Sequence, residues 1–97
     1  MSKRLLGKVA IITGAGCGGP GWGNGRATTY RFIEEVAKVF GVDQSEDALA
    51  ETIDKAKILK GDLTTYICNV TDSVAVAKMV ETCIDRFGRL DVLVNNV

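Results

Sequence analysis

Two glycine clusters and one carboxylate are the residues best placed to do chemistry. Thr13-Gly14 and Gly16 follow directly on an apolar run, and Gly23-Asn24-Gly25 stands just ahead of a helical pattern. Glycines between a strand and a helix let backbone N–H groups approach a pyrophosphate, and the helix N-terminus adds a favourable dipole. Gly14, Gly16 and Gly19 can be read as G-x-G-x-x-G, but Pro20 and Gly21 then occupy the place where the helix should begin. Ending the loop at Gly23-Asn24-Gly25 puts the helix directly after it, so two assignments of the phosphate-facing glycines remain open. Asp43 closes the second apolar run, where a carboxylate can accept hydrogen bonds from an adenosine ribose. It stands further from Gly14 than the roughly 20 residues usual for that role, and the long glycine loop accounts for part of the excess. The same charge repels a 2′-phosphate, and Gln44 rather than Arg follows, so NAD is favoured over NADP. The plainer alternatives are a glycine turn with no ligand and an aspartate that merely starts the next helix.

Composition narrows the field. Ninety-seven residues allow one domain. Hydrophobic content of 46% and charged content of 25% are those of an ordinary soluble protein. Formal net charge is zero, which leaves no electrostatic footprint for nucleic acid or an anionic membrane surface. No apolar run approaches the roughly 20 residues of a spanning helix, nor does the N-terminus read as a signal peptide, so a cytoplasmic protein is expected. Cys17, Cys68 and Cys83 have neither the number nor the spacing of a disulfide framework or a zinc site. With no histidine, imidazole chemistry is excluded, and no metal site is expected.

The elements that must hold these residues alternate. Val9-Ala10-Ile11-Ile12, Val39-Phe40-Gly41-Val42, Thr65-Tyr66-Ile67-Cys68 and residues 91–94 read as buried strands. A helix is expected over residues 26–38, with Tyr30, Ile33 and Ala37 inward and Arg31, Glu34 and Glu35 on the wet side. Ser45 should cap a second helix carrying Leu49, Ile53 and Ala56, and Gly61 breaks that pattern. Thr71-Asp72-Ser73 should cap a third, with Val76, Val80, Ile84 and Phe87 inward and Gly88 at its stop. The order βαβαβαβ predicts an α/β fold: a Rossmann-type, doubly wound parallel sheet, strand order 3-2-1-4, covered by helices on both faces. Strand 4 then lies at an edge although Val92, Leu93 and Val94 look built for an interior position. The expectation is that the sheet is truncated after it, with further sequence, a second copy or a partner chain covering it.

In this order Thr13-Gly14, Gly23-x-Gly25, Asp43, Asn69-Val70-Thr71-Asp72 and Gly88-Arg89-Leu90-Asp91-Val92-Leu93-Val94-Asn95-Asn96 resemble the N-terminal half of a short-chain dehydrogenase/reductase. The resemblance covers essentially the whole chain, and its final segment is the most specific part. It implies that residues 1–97 are a partial NAD(P)-binding Rossmann domain. By position it implies that Thr13, Gly14, Gly23, Asn24 and Gly25 hold the diphosphate and that Asp43 binds the ribose. Asn69 and Val70 would contact the adenine, and Asn95 and Asn96 would line the site beside the cofactor. It implies hydride transfer between nicotinamide and an alcohol or carbonyl substrate. The chain departs from the family pattern in its expanded loop around Gly19 to Trp22, in Asn69 where Asp is usual, and in Val97 where Ala-Gly is expected. A Gly-Trp-Gly step is also similar to enoyl reductases of the same superfamily.

The family's catalytic Ser, Tyr-x-x-x-Lys and helical Asn should follow residue 97. No substitute pair stands earlier: four residues after Tyr30 is Glu34, and four after Tyr66 is Val70. The catalytic set expected within these 97 residues is therefore empty, and the chain alone is expected to be inactive. Two other readings are a non-catalytic NAD or adenine-nucleotide module and a methyltransferase-like S-adenosylmethionine domain; Thr13-Gly14 and Asn95-Asn96 disfavour the latter. A nucleoside-triphosphatase lacks its Gly-Lys-Ser/Thr. Cys17 and Trp22 read more simply as loop packing than as a redox thiol and a cofactor lid.

Overall fold

The computed structural model of the chain describes residues 6–16, 24–35, 37–59 and 61–94. They form β1 (Val9–Thr13), α1 (Asn24–Glu34), β2 (Lys38–Asp43), α2 (Glu46–Leu59), β3 (Asp62–Ile67), α3 (Ser73–Phe87) and β4 (Val92–Val94). The four strands make one parallel sheet in the order β3-β2-β1-β4, as the alternating pattern predicts.

Side chains along a strand point alternately to the two faces, and the core divides accordingly. Val9 and Ile11 of β1 join Phe40, Val42, Cys68, Met79 and Cys83 beneath α3. Ile12 joins Ala15, Ile33, Ala37, Val39, Leu49 and Ala56 beneath α1 and α2. Every residue of β1 is buried, which is what a central strand covered on both faces requires. Phe40 anchors the first cluster, meeting Phe87 edge-on at 6.3 Å and Tyr66 at 5.4 Å between ring centroids.

Helix starts follow their caps. Ser45 Oγ accepts the Ala48 N–H at 3.2 Å ahead of α2, whose first turn carries Glu46 and Asp47. Asp72 Oδ1 accepts from the Val74 and Ala75 N–H groups and caps α3, and Gly88 closes that helix in the left-handed conformation, φ 77°.

Several sequence expectations need correction. The first helix starts at Asn24 and stops at Glu34 instead of spanning residues 26–38. The Ala37 N–H reaches back five residues to the Phe32 carbonyl, which ends the α-helical ladder, and the Lys38 N–H donates to Lys8 O at 2.9 Å, which draws the chain into the sheet. Ala37 is buried as expected, but it lies outside the helix. Glu35 is not on the wet side: it is 4% exposed and paired with Arg31 at 3.7 Å. The third strand begins at Asp62, three residues early, because it follows β2 in register from Lys38↔Asp62 onward. In α2 the inward set is Leu49, Thr52 and Ala56, with Ile53 half-buried. In α3 the deepest residues are Met79 and Cys83, whereas Ile84 is 44% exposed. Val76, Val80 and Phe87 pack beside them as expected.

β4 lies at the sheet edge and pairs with β1 alone, Ala10↔Val92 through Ile12↔Val94. Leu93 is 55% exposed. An Asp91 clamp fixes the strand's start. Asp91 Oδ2 accepts the Val9 N–H at 2.8 Å and the Arg89 Nε–H at 2.8 Å, and the Asp91 N–H donates to Val9 O at 2.9 Å. The Arg89 hydrogen bonds, and after them the Val9 N–H, hold Asp91 below the ordinary range of an aspartate.

Candidate functional site

Because the strands are parallel, the ends of β1, β2 and β3 meet at one edge of the sheet, the edge where open α/β sheets take ligands. There the structure has a cavity of about 190 Å³, lined by Gly14 after β1, Asp43 and Gln44 at the end of β2, and residues 68–71 after β3.

The β1 side is a glycine contact. Gly14 has φ 65°, a conformation that L side chains adopt only with strain. Gly25, in the first turn of α1, lies so close that a Cβ on it would overlap the Gly14 carbonyl. Both positions therefore need glycine for backbone reasons, and the contact seats the start of α1 against the end of β1. Thr29, fully buried, ties the same turn by donating to the Gly25 carbonyl at 2.8 Å.

The next two residues are fixed by neighbours on two elements, β2 and α2. The Ala15 N–H donates to Val42 O at 3.0 Å, the Ala15 carbonyl accepts the buried Thr52 hydroxyl at 3.0 Å, and the Gly16 N–H donates to Asp43 Oδ2 at 3.1 Å. Asp43 Oδ1 in turn accepts the Ser45 N–H at 3.0 Å. The carboxylate is thus aimed by two backbone donors, one from the glycine turn and one from the cap of α2. Each oxygen keeps a further lone pair for a hydroxyl-bearing ligand.

The β3 side is a turn built on Asn69. Its Oδ1 accepts the Thr71 N–H at 3.0 Å and the Thr71 hydroxyl at 2.6 Å, and its backbone carbonyl accepts the Asp72 N–H at 3.1 Å. Val70 gives the cavity an apolar wall. Cys68 lies behind it with its thiol pushed up by burial and then by nearby Asp72, so it is held as a neutral thiol.

Of the residues singled out from sequence, Gly14, Asp43, Asn69 and Val70 line this one cavity, and Gly16 and Gly25 buttress it through Asp43 and Gly14. Thr13 ends β1 and is buried, its hydroxyl 3.4 Å from Val94 O on β4. Asn24 is the first residue of α1. Gly23, Asn95 and Asn96 lie outside the described residues, as do Cys17, Gly19 and Trp22. Sequence reasoning missed Thr52 and Thr29, and it read Thr71 as part of the third helix's cap and of the Asn69–Asp72 motif without its bonds to Asn69. A threonine between the apolar residues of a helix stripe, as Thr52 is between Leu49 and Ala56, was the available signal. Among the described residues no group of three His, Cys, Asp or Glu side chains could hold a metal, and no helix is long and apolar enough to cross a membrane.

Comparison with known proteins agrees with this architecture. The short chain dehydrogenase family profile matches residues 8–97. The chain is 42% identical over 93 residues to the 3-oxoacyl-[acyl-carrier-protein] reductase of Thermotoga maritima, covering 96% of this chain and 36% of that protein. A solved short-chain dehydrogenase/reductase from Burkholderia xenovorans superposes with TM-score 0.92 and 49% identity, covering 99% of this chain and 37% of that one. An NAD+-bound xylitol dehydrogenase superposes with TM-score 0.87 and 32% identity, covering 98% of this chain and 35% of that one. The chain thus spans about a third of the length of the relatives it matches. With the profile matched over nearly its whole length and the parallel sheet in the order 3-2-1-4, the chain belongs to the short-chain dehydrogenase family, oxidoreductases that use a dinucleotide cofactor.

Proposed function

We propose that this chain is the cofactor-binding part of an NAD-dependent oxidoreductase that moves a hydride between nicotinamide and an alcohol or carbonyl carbon of a small molecule. The observation that carries the reading is the convergence of Gly14, Asp43 and Asn69-Val70 on one cavity at the carboxyl edge of the sheet. The residues fit a dinucleotide. Gly14 and Gly25 bring backbone without Cβ atoms together where the end of β1 meets the first turn of α1, the setting in which a diphosphate binds against N–H groups. Asp43 accepts ribose hydroxyls while its charge opposes a 2′-phosphate, which makes NAD the expected partner and NADP the weaker one. Val70 supplies an apolar surface for the base, and Asn69 a hydrogen-bonding group. Thr13, Gly16, Gly23 and Asn24 complete the diphosphate side of this reading, and Asn95 and Asn96 the nicotinamide side.

The cofactor, when bound, supplies the hydride acceptor or donor. This chain's residues bind and orient it; the acid–base group and the substrate pocket belong to the whole protein. Alcohol/carbonyl chemistry is favoured over enoyl reduction by the two relatives named above, a 3-oxoacyl reductase and a xylitol dehydrogenase. The open apolar edge of β4 is where further chain or a second copy would pair.

Calorimetric titration with NAD, NADP and S-adenosylmethionine tests the reading. NAD is expected to saturate the protein, with NADP weaker by about tenfold or more, given the repulsion between a carboxylate and a phosphate a few ångströms apart. No saturation by NAD, or tighter binding of S-adenosylmethionine, would falsify it.

A further inference from the structure

We propose that Asn69 reads the purine of the dinucleotide as a hydrogen-bond donor only, so that its side chain does not recognise the exocyclic amino group of adenine. The inference rests on the dinucleotide reading above. An asparagine amide carries an acceptor oxygen with two lone pairs and a donor NH₂ group. Here the orientation of the amide is fixed chemically, because the Thr71 backbone N–H, 3.0 Å away, can only donate, so the atom facing it must be Oδ1. The Thr71 hydroxyl donates to the same oxygen at 2.6 Å. Both lone pairs are therefore used inside the turn. Nδ2 bonds to no other described residue, while Asn69 lines the cavity beside Val70. Turning the amide over would set its NH₂ against the Thr71 N–H, donor against donor. An aspartate at this position would behave differently: one oxygen could serve Thr71 and the other could still accept from an amine.

What Asn69 can offer a base is thus an N–H. Adenine takes it only through a ring nitrogen, and its amino group finds no acceptor on this side chain. Hypoxanthine, which carries a carbonyl where adenine has the amine, takes it through that oxygen or a ring nitrogen. The turn makes the site permissive toward 6-oxo purine dinucleotides where an aspartate would favour the 6-amino purine.

The test compares binding of NAD and nicotinamide hypoxanthine dinucleotide to the purified protein and to Asn69→Asp. One hydrogen bond between neutral groups corresponds to about two- to tenfold in affinity. The wild-type protein is expected to bind the two dinucleotides within about threefold of each other, and Asn69→Asp to favour NAD by about tenfold or more. Asn69 is exposed and aspartate preserves the Thr71 turn, so the variant should unfold at the wild-type temperature. Thr71→Ala, which frees one Oδ1 lone pair, should move the ratio the same way by a smaller factor. A wild-type preference for NAD of tenfold or more, or a ratio unchanged by Asn69→Asp, overturns the proposal. Failure of both dinucleotides to bind the wild type overturns the dinucleotide reading itself, an outcome distinct from lost discrimination.

Discussion

Asp43 Oδ2 accepts the Gly16 N–H at 3.1 Å, so the carboxylate at the end of β2 is bonded directly to the turn that follows β1. The acid proposed to face a ribose and the backbone proposed to approach a diphosphate are thereby one unit. Its second oxygen is held by the Ser45 N–H at 3.0 Å, which adds the start of α2 to the same unit. A substitution at Asp43 therefore acts on affinity, on cofactor choice and on the local order of the turn together.

Asp43→Asn separates these effects by charge. One end of the amide is a donor, so it cannot serve both backbone N–H groups. Losing one such bond in a half-buried site should lower stability by about 1–3 kcal/mol. Removing the charge should narrow the NAD-over-NADP preference by about tenfold. Titration of both cofactors, with a thermal melt alongside, measures the two consequences. An unchanged preference would remove Asp43 from the ribose role.

Gly25→Ala probes the contact under the site. The added Cβ would meet the Gly14 carbonyl, and that carbonyl belongs to a turn already fixed through Ala15 and Gly16. Relief requires α1 to move off β1, so a loss above about 3 kcal/mol is expected, in the range of severe backbone clashes. Gly7→Ala is the control: its φ is also positive, 77°, but open space surrounds its Cβ position, so the strain alone should cost about 1–2 kcal/mol. Equal unfolding temperatures for the two variants would show that the Gly14–Gly25 contact is not tight in solution.

Met79 and Ile84 test where the inner face of α3 lies. Met79 is 1% exposed and Ile84 44% exposed. Met79→Ala should cost about 2–5 kcal/mol, and Ile84→Ala less than about 1 kcal/mol. For a domain of this size each kcal/mol moves the midpoint by about 4–8 °C, so a melting curve resolves the difference. Equal losses at the two positions would mean that the helix is rotated.

That contrast also marks how far the sequence could be read. The strand order and the helix-covered sheet were legible because apolar runs such as Val9 to Ile12 alternate with capped, periodic helices. Gly14, Asp43, Asn69 and Val70 were legible as neighbours because parallel strands bring their ends together. The rotation of α3 was not, since Val76, Val80 and Phe87 fit a stripe centred on Ile84 as well as one centred on Met79 and Cys83. Only packing against Phe40 and Val42 decides between them. The end of α1 was illegible for a related reason: residues 35–38 have helical character in isolation, and the Lys38–Lys8 backbone bond that pulls them into the sheet is a long-range contact. Thr52 escaped notice because a hydroxyl that bonds a turn 37 positions away leaves no periodic trace.

Asp91 gives the fold a pH signature that can be isolated. Its carboxylate is held low, first by the Arg89 hydrogen bonds at 2.8 and 2.6 Å and then by the Val9 N–H at 2.8 Å. A group whose folded value is depressed adds stability that is fully present above its unfolded value, near about 3.9 for an aspartate. That contribution is lost as pH falls from there through the lower folded value. Protonation removes the charge and turns one of the two accepting oxygens into a donor, which breaks the two-pronged Arg89 contact, so the acid limb of the stability curve should steepen below about pH 4. Asp91→Asn keeps one acceptor for Val9 but cannot form the two-pronged Arg89 contact and does not titrate. Its unfolding temperature should fall below wild type at neutral pH, and the two curves should converge as pH drops through the folded value. Melting curves from neutral pH down to about pH 2.5 cover that window. A constant gap between the two proteins across it would show that the Arg89–Asp91–Val9 clamp does not hold the edge strand.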